Sequence, residues 1–256
     1  MSFFNKVFAS VGIGSAKVDT KLEKERLFPG EEVKGIVEIQ GGNVEQNIDE
    51  IYLSLHTTYI KEHDDKKYTA TGLIDRFRLT ERFTIKPNER KEIPFSFQLP
   101  LDTPLTLGKT KVWVATGLDI KNAVDPGDKD HVMVQPNSLM NAVLEAVADL
   151  GFRLREVECE QASRKVRGRL PFIQEFEFVP VSGAFRGKLD EIELVFYPIS
   201  ENQTEILMQV DRRARGLGSF LAEALEMDES YVRLNVSSSD IPSLKEKFYS
   251  VIQRYS

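Results

Sequence analysis

Residues Phe28 to Gly42 write a turn, a two-faced strand and a second turn in order, and no other stretch constrains the fold as tightly. Pro29-Gly30 suits a type II turn, because proline presets a negative φ and glycine accepts a positive one. Val33, Gly35, Val37 and Ile39 then point one way and Lys34, Ile36, Glu38 and Gln40 the other. That is the period-2 signature of a half-buried strand, and Gly41-Gly42 ends it. The segment describes a binding scaffold better than an active site.

Similar segments follow at about the spacing of a β-sandwich, separated by polar, Gly or Pro residues. Ile51, Leu53, Leu55, Thr57 and Tyr59 share one face, followed by a charged hairpin candidate, Glu62 to Lys67. Phe77, Leu79, Phe83 and Ile85 alternate with arginines, and Ile93, Phe95, Phe97 and Leu99 repeat the pattern beside Pro94, which marks an edge strand. Lys111 to Lys121, with the sole tryptophan Trp113, reads as a long strand closing the first half. Asp125-Pro126-Gly127-Asp128-Lys129-Asp130 then reads as a turn, and the domain boundary falls near Pro136.

In the second half Leu139, Ala142, Val143, Ala146, Val147 and Leu150 keep helical spacing after the cap candidates Asn137-Ser138, and Gly151 stops the run. Strand-like pieces return near Phe152–Cys159, Phe172–Val179, Glu191–Tyr197, Thr204–Val210 and Tyr231–Val236. Two further helices are expected, one over Ser219–Met227 and one at the carboxyl end on Leu244, Phe248, Val251, Ile252 and Tyr255. The expected fold is mainly β: two sandwich domains, 1–135 with an amphipathic amino-terminal segment and 136–256 with a helix at each end.

Four stretches together carry a family resemblance: Phe3-Phe4-Asn5-Lys6-Val7-Phe8-Ala9, Leu27 to Gly42, Pro100-Leu101-Asp102-Thr103-Pro104, and Trp113-Val114-Ala115-Thr116-Gly117-Leu118-Asp119-Ile120. In order and spacing the chain resembles the arrestin-like proteins, and among them the sporulation-control protein family of bacilli. The resemblance implies two arrestin-like domains in a non-catalytic bacterial regulator that holds partner proteins and controls sporulation. The matching residues are turn and core residues, so they carry architecture and no binding site.

Bulk properties agree with a folded cytoplasmic protein. The chain has 256 residues, 41% of them hydrophobic, enough for two cores. No apolar run approaches the roughly 20 residues that cross a bilayer, and no secretion signal is written at the amino terminus. The lone Cys159 forms no internal disulfide, which fits a reducing compartment. A net charge of −6, from 40 acidic and 34 basic residues, argues against nucleic acid as the main partner. Arg212-Arg213-Ala214-Arg215 stands out as the concentrated positive spot.

Chemistry is sparse. Cys159 lies between Glu158 and Glu160, whose charges disfavour the thiolate. His56, His63 and His131 are far apart and lack metal-ligand spacing, and His56 reads as a partly exposed strand residue. Asp125, Asp128, Asp130 and His131 make the best metal candidate, as hard cations want several carboxylates on a bent loop, though without the calcium-loop spacing. Gly12-Ile13-Gly14 and Gly216-Leu217-Gly218 lack the rest of a nucleotide signature. No catalytic residue, resident metal or cofactor is therefore assigned.

Binding has three candidate devices. Phe3, Phe4 and Phe8, with Val7 and Val11, form an apolar stripe that could dock a partner or pack on the protein itself. Arg212, Arg213 and Arg215 supply positive charge. Open sheet edges can accept an extended segment or a second copy of the chain. The expected partners are cytosolic signalling, division or cytoskeletal proteins, with a homodimer also compatible, while one lysine beside the aromatic stripe gives little attraction to a membrane. Two alternatives are a metal-dependent hydrolase using the acidic loop 125–131 and a membrane-peripheral adaptor using Phe3, Phe4 and Phe8.

Overall fold

In the computed structural model the described residues are 16–63, 66–120, 127–212 and 229–256. The chain divides into two compact units: unit 1 comprises Met1–Thr58, Thr71–Thr106 and Lys111–Val134, and unit 2 comprises Tyr59–Ala70, Leu107–Thr110 and Gln135–Ser256.

Unit 1 contains strands β1 (Lys17–Leu22), β2 (Arg26–Leu27), β3 (Glu32–Gln40), β6 (Phe83–Ile85), β7 (Arg90–Gln98), β8 (Val112–Ile120) and β9 (Gly127–Val134). It also holds most of the long strands β4 (Gln46–His63) and β5 (Lys66–Thr80), whose remaining residues belong to unit 2. One sheet has the order β1-β3-β7, and the other runs β4-β8-β9-β2 with β5 and β6 paired to β4. The two sheets meet through Thr20 of β1, whose hydroxyl lies 2.6 Å from that of Thr116 on β8, and through the ring of Phe77 stacked 4.1 Å from that of Phe97.

Strand β3 forms for the reasons its sequence implies. Glu31 N–H donates to Phe28 C=O at 3.0 Å and Gly30 has φ 92°, closing the turn that only glycine enters without strain. Val33, Gly35, Val37 and Ile39 are buried while Glu32, Lys34 and Ile36 are exposed. Gly35 serves close approach: a Cβ there would stand 2.4 Å from Lys21 O and 2.6 Å from the Phe95 ring.

Unit 2 holds α1 (Ser138–Asp149), β10 (Phe152–Gln161), β11 (Phe172–Pro180), β12 (Leu189–Ser200), β13 (Gln203–Arg212), β14 (Glu229–Ser237), a 3-10 turn (Ser238–Ser243) and α2 (Leu244–Arg254). The strands form an antiparallel sheet in simple sequence order, β10 through β14. Asn137 caps α1 by accepting from Met140 N–H at 2.9 Å, as its side chain and position predict. The helices pack on one another, α1 packs on β10, and Tyr249 of α2 meets Phe185 at 5.4 Å.

The helical layer covers the core of unit 2. Phe176, Phe178, Ile192, Leu194, Ile206, Met208, Val210, Leu234 and Val236 are all buried, as are Val143, Val147, Leu244, Phe248 and Ile252. Each such large side chain stabilises the fold by about 1.5–3 kcal/mol relative to exposure. Because strand side chains alternate, this row leaves a second row on the opposite face of the same sheet.

One sequence expectation changes. Asp128-Lys129-Asp130 lies within a strand and not a turn, since β9 begins at Gly127 and pairs residue by residue with β8. The reading failed because polar side chains occupy both faces there, hiding the period until Val132 and Val134. The amino-terminal segment, the hairpin tip Asp64-Asp65, Asp125 and the helix expected over Ser219–Met227 lie outside the described residues.

Candidate interaction surface

The second face of the unit 2 sheet follows from register. One rung reads Glu158, Glu175, Val195, Leu207, Arg233 across the five strands, and the next reads Glu156, Glu177, Glu193, Gln209, Tyr231. Acidic residues therefore dominate this face, and cations neutralise its margins. Lys67 lies 3.4 Å from Glu160, Lys109 3.1 Å from Glu156 and 3.8 Å from Glu158, and Arg233 pairs with Glu205. Arg155, the extra residue where the β10–β11 register shifts, bridges Glu177 and Glu191.

Glu175 is left at the centre and makes no ion pair among the described residues. Its carboxyl is pushed up to about 7, first by burial and then by the charges of Glu193 and Glu160, with Lys67 pulling it back and Glu158 adding least. A group with such a pKa changes charge near neutrality and destabilises the sheet when ionised alone.

Beside it lies a cleft of about 200 Å³ lined by Val166, Ile173, Val195, Leu207, Glu175, Glu193, Gln161, Gln209 and Tyr231, with Ser163 at its margin. Ile173, Val195 and Leu207 make an apolar floor, against which Ala162, Val166 and Tyr197 pack. The connection between β10 and β11 forms one lip: Tyr197 O–H donates to Val166 C=O at 2.5 Å, and Ala162 N–H donates to Pro171 C=O at 3.0 Å. On that lip Arg164, Lys165 and Arg167 are exposed and make no ion pair among the described residues. The cleft is therefore positive at its lip, apolar at its floor and negative toward Glu175 and Glu193. Tyr231, 58% exposed, stands at the far side.

A second recess, near the Pro29-Gly30 turn of unit 1, is lined by Glu23, Lys24, Leu27, Glu31, Glu32, Val33 and Lys34. Its cations are matched internally, Lys34 to Glu32 at 2.9 Å and Lys24 to Glu31 at 4.0 Å, so it offers little uncompensated charge.

The residues singled out from the sequence fare differently. Phe3, Phe4, Phe8, Arg213 and Arg215 lie outside the described residues, as does the side chain of Arg212, whose backbone ends β13. The proposed metal set is divided by its strand. Asp128 accepts from Thr20 N–H at 2.7 Å and from Lys129 N–H at 2.8 Å, so it links the two sheets of unit 1. Asp130, on the same face, is pushed up to about 6 by burial, by Asp128 and by Asp19. His131 points to the other face, where its ring lies 5.8 Å from that of Trp113. Among the described residues no three His, Cys, Asp or Glu side chains gather as a metal site.

His56 is partly exposed, as its sequence suggests, and packs against an aromatic ring. Its ring stacks 5.6 Å from Trp113, Lys129 Nζ sits 3.9 Å above the same indole, and burial holds the histidine below its ordinary pKa. Two histidines distant in sequence thus flank the sole tryptophan through the register of β4, β8 and β9. Cys159 is inert chiefly because it is buried, 2% exposed, while Glu158 and Glu160 project to the opposite face.

Sequence reasoning missed the cleft and the basic lip. Only the lip had a local signal: Arg164-Lys165-Val166-Arg167-Gly168-Arg169 is as basic as the Arg212 tract. No helix among the described residues is long and apolar enough to cross a membrane.

Comparison with known proteins fits this architecture. Residues 4–214 match the Spo0M family, described as SpoOM protein. The sporulation-control protein Spo0M of Bacillus subtilis is 48% identical over 258 aligned residues, covering 100% of this chain and 99% of that protein. The crystal structure of Spo0M from Bacillus subtilis superposes with a TM-score of 0.85 at 47% identity, covering 95% of this chain and 100% of that one. With a family match across most of its length and a relative similar from end to end, this chain belongs to the Spo0M family.

Proposed function

We propose that the protein is a non-catalytic, cytoplasmic regulator of sporulation that acts by holding partner proteins. The full-length similarity to a sporulation-control protein is the observation that carries the process. The surface of unit 2 supports this mode of action, because an apolar floor with charge on either side suits recognition of a protein segment.

Signalling, division or cytoskeletal proteins remain the expected partners, and a homodimer is compatible with the fold. Phe3, Phe4, Phe8, Arg212, Arg213 and Arg215 are further contact candidates. The test is to crosslink the full-length chain in the cytosol of sporulating cells, purify it and identify its companions by mass spectrometry, beside a chain lacking residues 1–15. A reproducible set of proteins supports the reading, and its loss on truncation assigns the aromatic segment to docking. Recovery of the chain alone, or with lipid only, contradicts it.

A further inference from the structure

The cleft on unit 2 has a polarity that selects its occupant. Its floor of Ile173, Val195 and Leu207 asks for an aliphatic or aromatic side chain. Glu175 and Glu193 stand next along the strands, and among the described residues no cation forms an ion pair with Glu175, while Arg164, Lys165 and Arg167 at the lip repel a second positive group and so fix direction. We propose that this cleft binds an extended segment of a partner protein, seating an apolar side chain on Ile173, Val195 and Leu207 and a neighbouring Lys or Arg against Glu175 and Glu193. The proposal rests on the protein-binding reading above and names the chemistry of its partner.

A bound cation would favour the ionised Glu175, so binding releases a proton below neutrality. The groups facing Glu175 are Glu158 and Glu160 from β10, Glu193 and Tyr197 from β12 and Lys67 from β5. Affinity for the segment therefore falls as pH drops through 7.

The test uses the purified full-length chain and two fluorescein-labelled decapeptides, one alternating Leu and Lys and one alternating Leu and Glu, followed by fluorescence anisotropy. The Leu/Lys peptide binds at least about tenfold more tightly than the Leu/Glu peptide, and its affinity drops about tenfold between pH 8 and pH 6. Glu193→Lys, which supplies the cation from within, lowers that affinity by about tenfold or more, whereas Glu45→Lys, the same charge change on an exposed residue of unit 1, leaves it near wild type. Equal binding of both peptides, equal loss from both variants, or no saturable binding overturns the proposal. A benzophenone side chain in place of Tyr231 then reads the natural occupant: captured segments pairing an apolar residue with Lys or Arg support it. Capture only of acidic segments, of lipid or of a second copy of the chain overturns it. Should partners still be recovered from the cytosol while these arms fail, the cleft is wrong and the protein-binding reading stands; if neither yields partners, both fall.

Discussion

The two faces of the unit 2 sheet are made by the same five strands and carry opposite chemistry. On one, Phe176, Leu194, Met208 and Leu234 are buried beneath the helical layer, and every change of volume there is felt by the fold. On the other, Glu175, Glu193, Gln209 and Tyr231 surround a cleft whose central carboxyl is held in a form it would not adopt in water. Stability explains the first face. It does not explain the second, since an unpaired, half-buried glutamate works against folding, and such a residue is the kind retained for recognition.

The largest expected effect breaks the first face. Phe176→Ala removes a fully buried ring that meets Phe196 edge-on at 5.3 Å, and denaturant unfolding should show a loss of about 3–5 kcal/mol. A loss below about 1 kcal/mol would mean that the inner face is not the core of unit 2.

The second effect has the opposite sign. In the folded state the Glu175 carboxyl titrates near 7, above its ordinary 4.5, so the native protein holds a proton that the unfolded chain releases between those values. Stability accordingly declines as pH rises from about 4.5 to 7, and the full penalty persists above 7. Glu175→Gln should raise stability at about pH 8 by on the order of 1–3 kcal/mol and change it little near pH 4. Destabilisation at pH 8 would place a hidden cation on Glu175 and remove the contrast between the faces.

Unit 1 offers a smaller version of the same effect. Asp130→Asn relieves a carboxyl pushed up to about 6 beside Asp128, so the melting temperature rises slightly above pH 6. Solvent screening of this more exposed group limits the gain to less than about 1 kcal/mol. Asp128→Asn should not share the benefit, because Asp128 accepts from Thr20 N–H across the two sheets.

The smallest effect is optical and separates the units. Trp113 is the only tryptophan, and an imidazolium beside an indole quenches its emission. His56 titrates below the ordinary histidine range, so burial delays its contribution to quenching. Because His56 and His131 both flank Trp113, the expected result is an emission profile against pH that Glu175→Gln leaves unchanged, which would localise the Glu175 response to unit 2. A step at pH 7 abolished by Glu175→Gln would show instead that the units respond together.

Much of the scaffold was readable because it is local. The Val33, Val37, Ile39 alternation, the Pro29-Gly30 turn and the Asn137 cap each depend on residues within a few positions of one another, and each appears in the fold. The cleft was not, because Ile173, Val195 and Leu207 come from three strands and meet only through register, while Val166 arrives from a connection. For the same reason Trp113 could be named but not its neighbours His56 and His131. The Asp125 to Asp130 stretch misled in the other direction, its turn-forming residues concealing the start of β9.

Whether the polar face of the unit 2 sheet exists for recognition is decided by Glu193→Lys in sporulating cells. The new ammonium can pair with Glu175, so the variant should be at least as stable as wild type and yet fail to restore normal sporulation frequency to Bacillus subtilis lacking its own Spo0M. Restoration by the stable variant to the level given by the unaltered chain would contradict it.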